Sequence, residues 1–223
     1  DDVRMAAKTG PDSIYIDGME GGTGAGPHIA TEETGVPGIA AIRQARKALD
    51  DVGKTGEISL VYAGGIRNGA DVAKALALGA DAVAIGHAAL MALNCNKDIP
   101  EADYMAEVGV EAGYCYHCHT GRCPVGVTTQ DPVLRKRLDP DEAAERVYNF
   151  HRNTLRALGE LIGAAGLSHP GELKPRHFVR RVSGNEVRLI ANLYKFLQPG
   201  ELLTNPSAHA VYQVYWPLAS SDS

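Results

Sequence analysis

The sequence predicts an α/β fold built on a parallel sheet, and three observations carry that expectation. Short apolar or β-branched runs, Ser13–Asp17 (SIYID), Ile58–Tyr62 (ISLVY) and Ala82–Ile85 (AVAI), have the length and composition of buried strands. Segments with apolar residues at helical spacing separate them. Each run is closed by glycine: a glycine-rich loop from Gly18, Gly64-Gly65 after Ala63, and Gly86. Strand, helix, strand, helix, strand in that order is the signature of parallel pairing through crossover helices.

In chain order, the first helix between strands covers Ile39–Asp51, with Ile39, Ile42, Ala45 and Leu49 on one face. The second covers Ala70–Leu78 and is capped by Gly79. After Ala88 the alternation stops. Residues 94–113 read as a polar, irregular insertion, and 115–124 hold three cysteines. A Pro-Asp-Glu start after Asp139 opens a long helix to about Ala165, with Val147, Phe150, Leu155, Leu158 and Leu161 as its apolar positions. Glu186–Leu197 is expected as a last helix, and the final 20 residues carry no period. This divides the chain into βα units over residues 1–93, an insertion and cysteine loop over 94–130, and a helical segment over 131–223. Three strands leave a sheet edge and apolar helix surface uncovered. Asp1-Asp2-Val3-Arg4 moreover reads as internal sequence. The expectation is that further strands lie outside this chain, and that residues 1–223 alone would be insoluble or molten.

Composition narrows the function classes. With 22 basic against 27 acidic residues and no basic stripe interleaved with aromatics, no nucleic-acid partner is expected. The longest apolar stretch, residues 70–95, is broken by Asp71, Lys74 and Asp81, so no membrane span is expected and a cytoplasmic location is. Four cysteines in a chain of 223 residues are no disulfide scaffold, and three of them fall within nine residues, which points to metal first.

Two patterns carry chemistry. Gly64-Gly65 ends one strand and opens a helix, and Gly86-His87 ends the next strand. Absent side chains at both strand ends let a phosphate approach backbone N–H groups, and a helix N-terminus adds partial positive charge. In (β/α)8 barrels the loops after strands seven and eight are where such sites recur. The alternative, that Gly64 and Gly65 merely serve a tight turn, would suit a lone glycine pair better than this paired arrangement. The loop Gly18–Pro27 holds five glycines in ten residues, enough for its backbone to approach a flat or anionic ligand closely. The cysteines, Cys95, Cys115, Cys118 and Cys123, are separated by nineteen, two and four residues. The CxxC lets two thiolates face one metal site, and Cys123-Pro124 resembles the close of ferredoxin-type ligand runs. His117 and His119 keep zinc open as an alternative, since mixed Cys/His sets suit it. Reduced structural thiols are a third reading.

The stretch AGGIRNGADVAKALALGADAVAIG, Ala63–Gly86, resembles the last two βα units of FMN-dependent barrel enzymes. The resemblance implies the C-terminal part of an FMN-binding (β/α)8 TIM barrel, with Gly64, Gly65, Gly86 and His87 at the FMN phosphate. The GGTGA loop, with Gly21, Gly22 and Thr23, and the run CHTGRCPVGVTTQDPVLRKR from Cys118 are similar to the flavin domain of glutamate synthase. That resemblance runs to about residue 165. It implies Gly21, Gly22 and Thr23 at the cofactor, and Glu20 and Thr23 as candidates for lining the active-site face. It also implies an iron–sulfur cluster, 3Fe–4S in the family, on three cysteines. Cys95, in ALNC where the family has ALGC, matches the first ligand, and Cys118 and Cys123 match the other two. The departures are a long insertion after Cys95 and the extra Cys115. Four cysteines can hold 4Fe–4S, or Cys115 can replace Cys95. The activity implied is reductive amination of 2-oxoglutarate by ammonia to L-glutamate through 2-iminoglutarate, with electrons relayed by the cluster. The ammonia would come from a glutaminase domain or subunit and the electrons from a donor subunit or ferredoxin, within an oligomeric complex. The residues gripping the keto acid lie on strands this chain lacks, so no catalytic residue is named. Rival readings are an N-methylglutamate synthase using methylamine, a 2-hydroxy-acid oxidase, and a non-catalytic barrel fragment acting as a scaffold. The oxidases carry Arg where this chain has His87 and lack the cysteines.

Overall fold

Three parallel strands, β1 (Ser13–Asp17), β2 (Ser59–Ala63) and β3 (Ala82–Val83), form a sheet of order β1-β2-β3. In this computed structural model residues 2–22, 26–95, 99–109, 111, 115–194, 204–205, 207, 212–215 and 217 are described. Register pairs Ser13 with Ser59 and Asp17 with Ala63, so the two strands end level. β3 is shorter than the expected Ala82–Ile85: beyond the bond from Ala84 N–H to the Tyr62 carbonyl (2.8 Å) the chain turns into Gly86.

Crossover helices lie on one face of the sheet. Preceding β1 is α1 (Asp2–Ala7); between β1 and β2 come α2 (His28–Glu33) and α3 (Gly38–Asp51); between β2 and β3 comes α4 (Gly69–Leu78). Ile42 and Leu49 of α3, Leu60 of β2 and Leu78 of α4 are fully buried together, as the helical spacing predicts. Gly79 caps α4 in the left-handed region. Alternation along the strands separates the two sheet faces. Ile14, Leu60 and Tyr62 are buried beneath the helices, whereas Ser13, Asp17 and Ser59 on the other face are exposed and Tyr15 is 58% exposed.

After β3 come α5 (His87–Ala92), α6 (Glu101–Val108) and the long α7 (Pro140–Ala164). Asp139 caps α7 by accepting from the N–H groups of Asp141 (3.0 Å) and Glu142 (3.1 Å). The helix turns Thr154, Leu158 and Ile162 onto α4; Leu155, expected on the apolar face, is 66% exposed. The two helices meet backbone to backbone at Gly69, where a Cβ would stand 2.4 Å from the Leu158 nitrogen and 2.5 Å from the Thr154 carbonyl oxygen. Gly69→Ala is therefore expected to push α4 off α7 and cost about 1–3 kcal/mol, the usual range for overpacking a rigid contact. A chemical-denaturation midpoint that does not fall would refute this.

Two expectations are corrected. The insertion is not wholly irregular, because α6 lies within it and buries Tyr104 and Val108, one turn apart, on a single face. The expected helix over Glu186–Leu197 is instead an antiparallel hairpin, β4 (Val179–Arg181) with β5 (Val187–Leu189), and a four-residue helix, α8 (Ile190–Leu193). Val182 N–H bonds the Glu186 carbonyl (3.0 Å) across a Ser-Gly-Asn turn, and the alternating Val/Arg pattern favours strand over helix. Residues 195–197 lie outside the described set. No helix among the described residues is long and apolar enough to cross a membrane.

Candidate functional site

Parallel pairing brings the carboxyl ends of β1, β2 and β3 to one edge, and the glycine loops nest there. Gly18 N–H donates to the Ala63 carbonyl (3.0 Å), seating the first loop on the second. A Cβ on Gly64 would come within 2.9 Å of the Gly18 nitrogen and 3.2 Å of Asp17 Oδ1; one on Gly65 would lie 2.9 Å from Glu20 Cβ. Both residues have positive φ, +108° and +68°, where side chains are rarely tolerated. A Cβ on Gly21 would meet Asp17 Oδ1 at 2.1 Å. Gly22 is exposed at φ +142°, and Thr23 lies outside the described residues. Gly86 differs: a Cβ there meets nothing within 4 Å, so the protein itself does not demand glycine. His87 is exposed and begins α5.

The polar groups around this rim set its electrostatics. Gly38 N–H, at the start of α3, donates to Glu20 Oε2 (3.0 Å), which fixes the carboxylate beneath the first loop. The Tyr62 hydroxyl donates to the Gly64 carbonyl (2.7 Å), holding the second turn from below. Burial, then the nearby charges of Glu20, Asp17 and Asp71, push Tyr62 up to about 12, so it stays a donor. Asn68 caps α4 by accepting from Ala70 N–H (3.0 Å) and Asp71 N–H (3.1 Å), and Arg67 is paired with Asp71 at 3.4 Å. Carboxylates thus outnumber cations here. An anion at this edge would be met by backbone N–H groups of the glycine turns and by the start of α5, not by a cluster of basic side chains.

The second candidate is the cysteine loop. Cys95 follows α5 directly. Asn94, at φ 70°, ends the helix in the left-handed region, with Cys95 N–H bonding the Leu90 carbonyl (3.0 Å) and Asn94 N–H that of Met91 (3.0 Å). Arg146 of α7 secures the same turn through the Ala92 carbonyl (3.1 Å). Asn tolerates this conformation and β-branched residues do not. Asn94→Gly is expected to keep Cys95 in place, whereas Asn94→Ile is expected to displace it and lower metal content, read as metal per chain. Equal metal in both variants would refute the role.

Neighbouring thiols act on Cys95 and Cys115. Burial first, then Cys118, Cys123 and Cys115, push Cys95 up to about 11. Burial also raises Cys115, where the His117 N–H and the Tyr104 hydroxyl act in the opposite direction. Cys123, 6% exposed, is buried too, but N–H groups of Thr128, Val125 and Val127 and the Thr128 hydroxyl outweigh burial and hold it below the ordinary thiol range. Cys118 is exposed. Among the described residues no three His, Cys, Asp or Glu side chains gather closely enough to share a single metal ion. A single zinc ion needs every sulfur about 2.3 Å from one centre, whereas in an iron–sulfur cluster each thiolate takes its own iron and the sulfurs stand farther apart. The histidines serve other ends: His117 Nε2 meets the Val108 carbonyl (2.9 Å) and Nδ1 meets Thr120 Oγ1 (3.3 Å), and His119 is exposed. Tyr104 and Asn94 were not singled out by the sequence reading. A Tyr–Val pair one turn apart after Pro100-Glu101, and Asn in place of the family's glycine, were the available signals.

Residues 1–168 match the family described as the conserved region in glutamate synthase. The chain is 46% identical over 174 residues to a glutamate synthase large subunit-like protein of Rhizobium meliloti (strain 1021), covering 78% of this chain and 39% of that protein. It is 41% identical over 184 residues to an archaeal glutamate synthase (NADPH) of Methanocaldococcus jannaschii, covering 82% of this chain and 33% of that protein. It is 40% identical over 179 residues to an archaeal-type glutamate synthase (NADPH) of Thermotoga maritima, covering 80% and 32%. The chain therefore spans 32–39% of the length of these relatives.

Proposed function

The chain belongs to the glutamate synthase family, and on that premise we propose that it supplies the phosphate-binding end of an FMN barrel and the iron–sulfur loop of an enzyme that reductively aminates 2-oxoglutarate to L-glutamate. The observation that carries this reading is the nesting of the Gly18 loop on the Gly64-Gly65 turn at the sheet edge where β3 also runs into Gly86. Gly64 and Gly65 are demanded by the protein's own packing, while Gly86 leaves open space beside them. Parallel strands helix-covered on one face and bare on the other suit a sector of a (β/α)8 barrel, whose remaining strands would face Tyr15 and Ser59.

The residues fit the cofactor. The N–H groups of Gly64, Gly65, Gly86 and His87 would hold the FMN phosphate, and the loop through Gly21, Gly22 and Thr23 would lie along the flavin. Glu20, anchored on Gly38 N–H, keeps that loop closed down on the second turn. Flavin bound there supplies hydride transfer; the protein's part is position and charge environment. The thiols of Cys95, Cys115, Cys118 and Cys123 would hold an iron–sulfur cluster that passes electrons inward from a donor subunit, domain or ferredoxin. Ammonia would come from a glutaminase domain or subunit of the same complex. The insertion packs on the cysteine loop, around Cys123 and Val125, so it gives no structural reason to change the amine.

The test is an absorption spectrum and an amine assay on the purified protein that contains this chain. Flavin bands over a broad iron–sulfur absorption, with glutamate formed from 2-oxoglutarate and ammonia under an artificial one-electron donor, are expected. N-methylglutamate formed preferentially from methylamine would change the substrate. A colourless protein would refute the enzyme reading and leave a scaffold.

A further inference from the structure

The turn that would hold the phosphate consists of two glycines and has no side chain of its own to keep its shape. Gly64 and Gly65 both lie at positive φ, +108° and +68°. Glycine enters positive and negative φ about equally, so the peptide between them can rotate with little steric resistance. That peptide is planar and trans, so the Gly64 carbonyl and the Gly65 N–H point in opposite directions. One orientation offers an anion the N–H; the other offers it the carbonyl oxygen. The Tyr62 hydroxyl decides between them. From a ring buried in the helix-covered layer it donates to the Gly64 carbonyl (2.7 Å), which turns the Gly65 N–H away from the ring. Among the described residues neither the Gly64 nor the Gly65 N–H has an acceptor. The phenol is itself held in place. A Cβ on Gly38 would stand 1.7 Å from Tyr62 Oη, so the ring tip lies directly against the first residue of α3. Gly38 N–H in turn donates to Glu20 Oε2 (3.0 Å), and a Cβ on Gly18 would reach Gly38 Cα at 2.6 Å. The start of α3, the Gly18 loop and the Gly64-Gly65 turn are thus packed around one hydroxyl.

We propose that Tyr62 is a positioning residue that makes this edge select a phosphorylated flavin, by holding the Gly64–Gly65 peptide with its N–H presented to the phosphate. This role rests on the flavin reading given above and names the residue on which discrimination against an unphosphorylated flavin depends. Tyr62 acts through the turn and does not touch the ligand. Without the hydroxyl the peptide is free to flip, and a carbonyl oxygen turned toward a phosphate repels it. A flavin that carries no phosphate makes no contact of this kind, so its binding does not depend on the hydroxyl. Tyr62→Phe keeps the buried ring and removes the donor alone.

The experiment uses the whole protein that contains this chain, stripped of flavin and titrated separately with FMN and with riboflavin, read by flavin fluorescence. The wild type is expected to bind FMN more tightly than riboflavin. In Tyr62→Phe the FMN dissociation constant is expected to rise about three- to tenfold, the range of one lost neutral hydrogen bond, with that of riboflavin held within about twofold. Replacing Tyr62 by 4-aminophenylalanine keeps an N–H donor at the same place and is expected to keep the wild-type ratio. General loosening of the edge would weaken both flavins alike, so an unchanged ratio in Tyr62→Phe would overturn the positioning role. Equal affinity for the two flavins in the wild type would overturn the phosphate assignment itself, a different failure seen before any variant is made. Should Tyr62→Phe not fold, the 4-aminophenylalanine protein still decides: a retained preference for FMN supports the role, and a preference lost with the donor kept overturns it.

Discussion

A Gly65→Asp variant is expected to lose its flavin, with the flavin-to-protein ratio falling at least about tenfold. The backbone there has φ +68°, and a Cβ would press to 2.9 Å from Glu20 Cβ, so the turn must shift to accept any side chain. A left-handed conformation costs a non-glycine residue about 1–2 kcal/mol, and 1.4 kcal/mol is already a factor of ten in binding. The added carboxylate joins Asp17, Glu20 and Asp71 at a rim that meets an anion with peptide N–H groups, so repulsion acts in the same direction. Gly86→Ala separates binding from folding. Its Cβ touches nothing within 4 Å of the protein, so the denaturation midpoint should hold while flavin affinity falls, because the methyl enters the space a ligand would use. Full flavin content in both variants would refute the assignment of this edge.

Local signals made the sheet and its helices legible, since each element is written where it forms. β1 spans the five expected residues, α3 begins one residue earlier than read, and α7 runs from its Asp139 cap as expected. What failed was whatever depends on partners distant in sequence. The stretch after Glu186 has apolar residues that fit a helix face, but Val179 pairing with Leu189 across a tight turn makes it a hairpin. β3 loses its last two expected residues because ladder bonds join it to β2 alone. The glycine edge was readable because glycine at a strand end has few other uses; which glycines serve packing and which leave room was not, since that depends on neighbours such as Glu20 and Gly18. The bunching of Cys115, Cys118 and Cys123 on one loop is plain from spacing. The packing of Tyr104 against Cys123 and Val125 is not, because it exists only once an insertion folds back onto the loop it interrupts.

Cys123→Ser is expected to remove the cluster while sparing the fold, and the reason lies in what surrounds that sulfur. It is buried and receives N–H groups from Val125, Val127 and Thr128. Serine oxygen accepts the same hydrogen bonds, so no donor is stranded and the denaturation midpoint should stay within about 1 kcal/mol equivalent of wild type. Alanine would strand them, at about 1–3 kcal/mol, and would confuse lost ligand with lost structure. Iron is another matter: the ligands of these clusters are thiolates, and a neutral hydroxyl is a poor replacement. Iron and acid-labile sulfide per chain should fall by about tenfold or more, with the EPR signal. Cys118→Ser should do the same at still smaller structural cost, because Cys118 is exposed. Flavin content should survive in both, since the glycine edge is built from β1, β2 and β3 and shares no residue with the loop. Full iron retained in Cys123→Ser would remove this cysteine from the ligand set. Stoichiometric zinc in the wild type, with no iron, would end the electron-relay role of the loop, because zinc has no redox chemistry to offer.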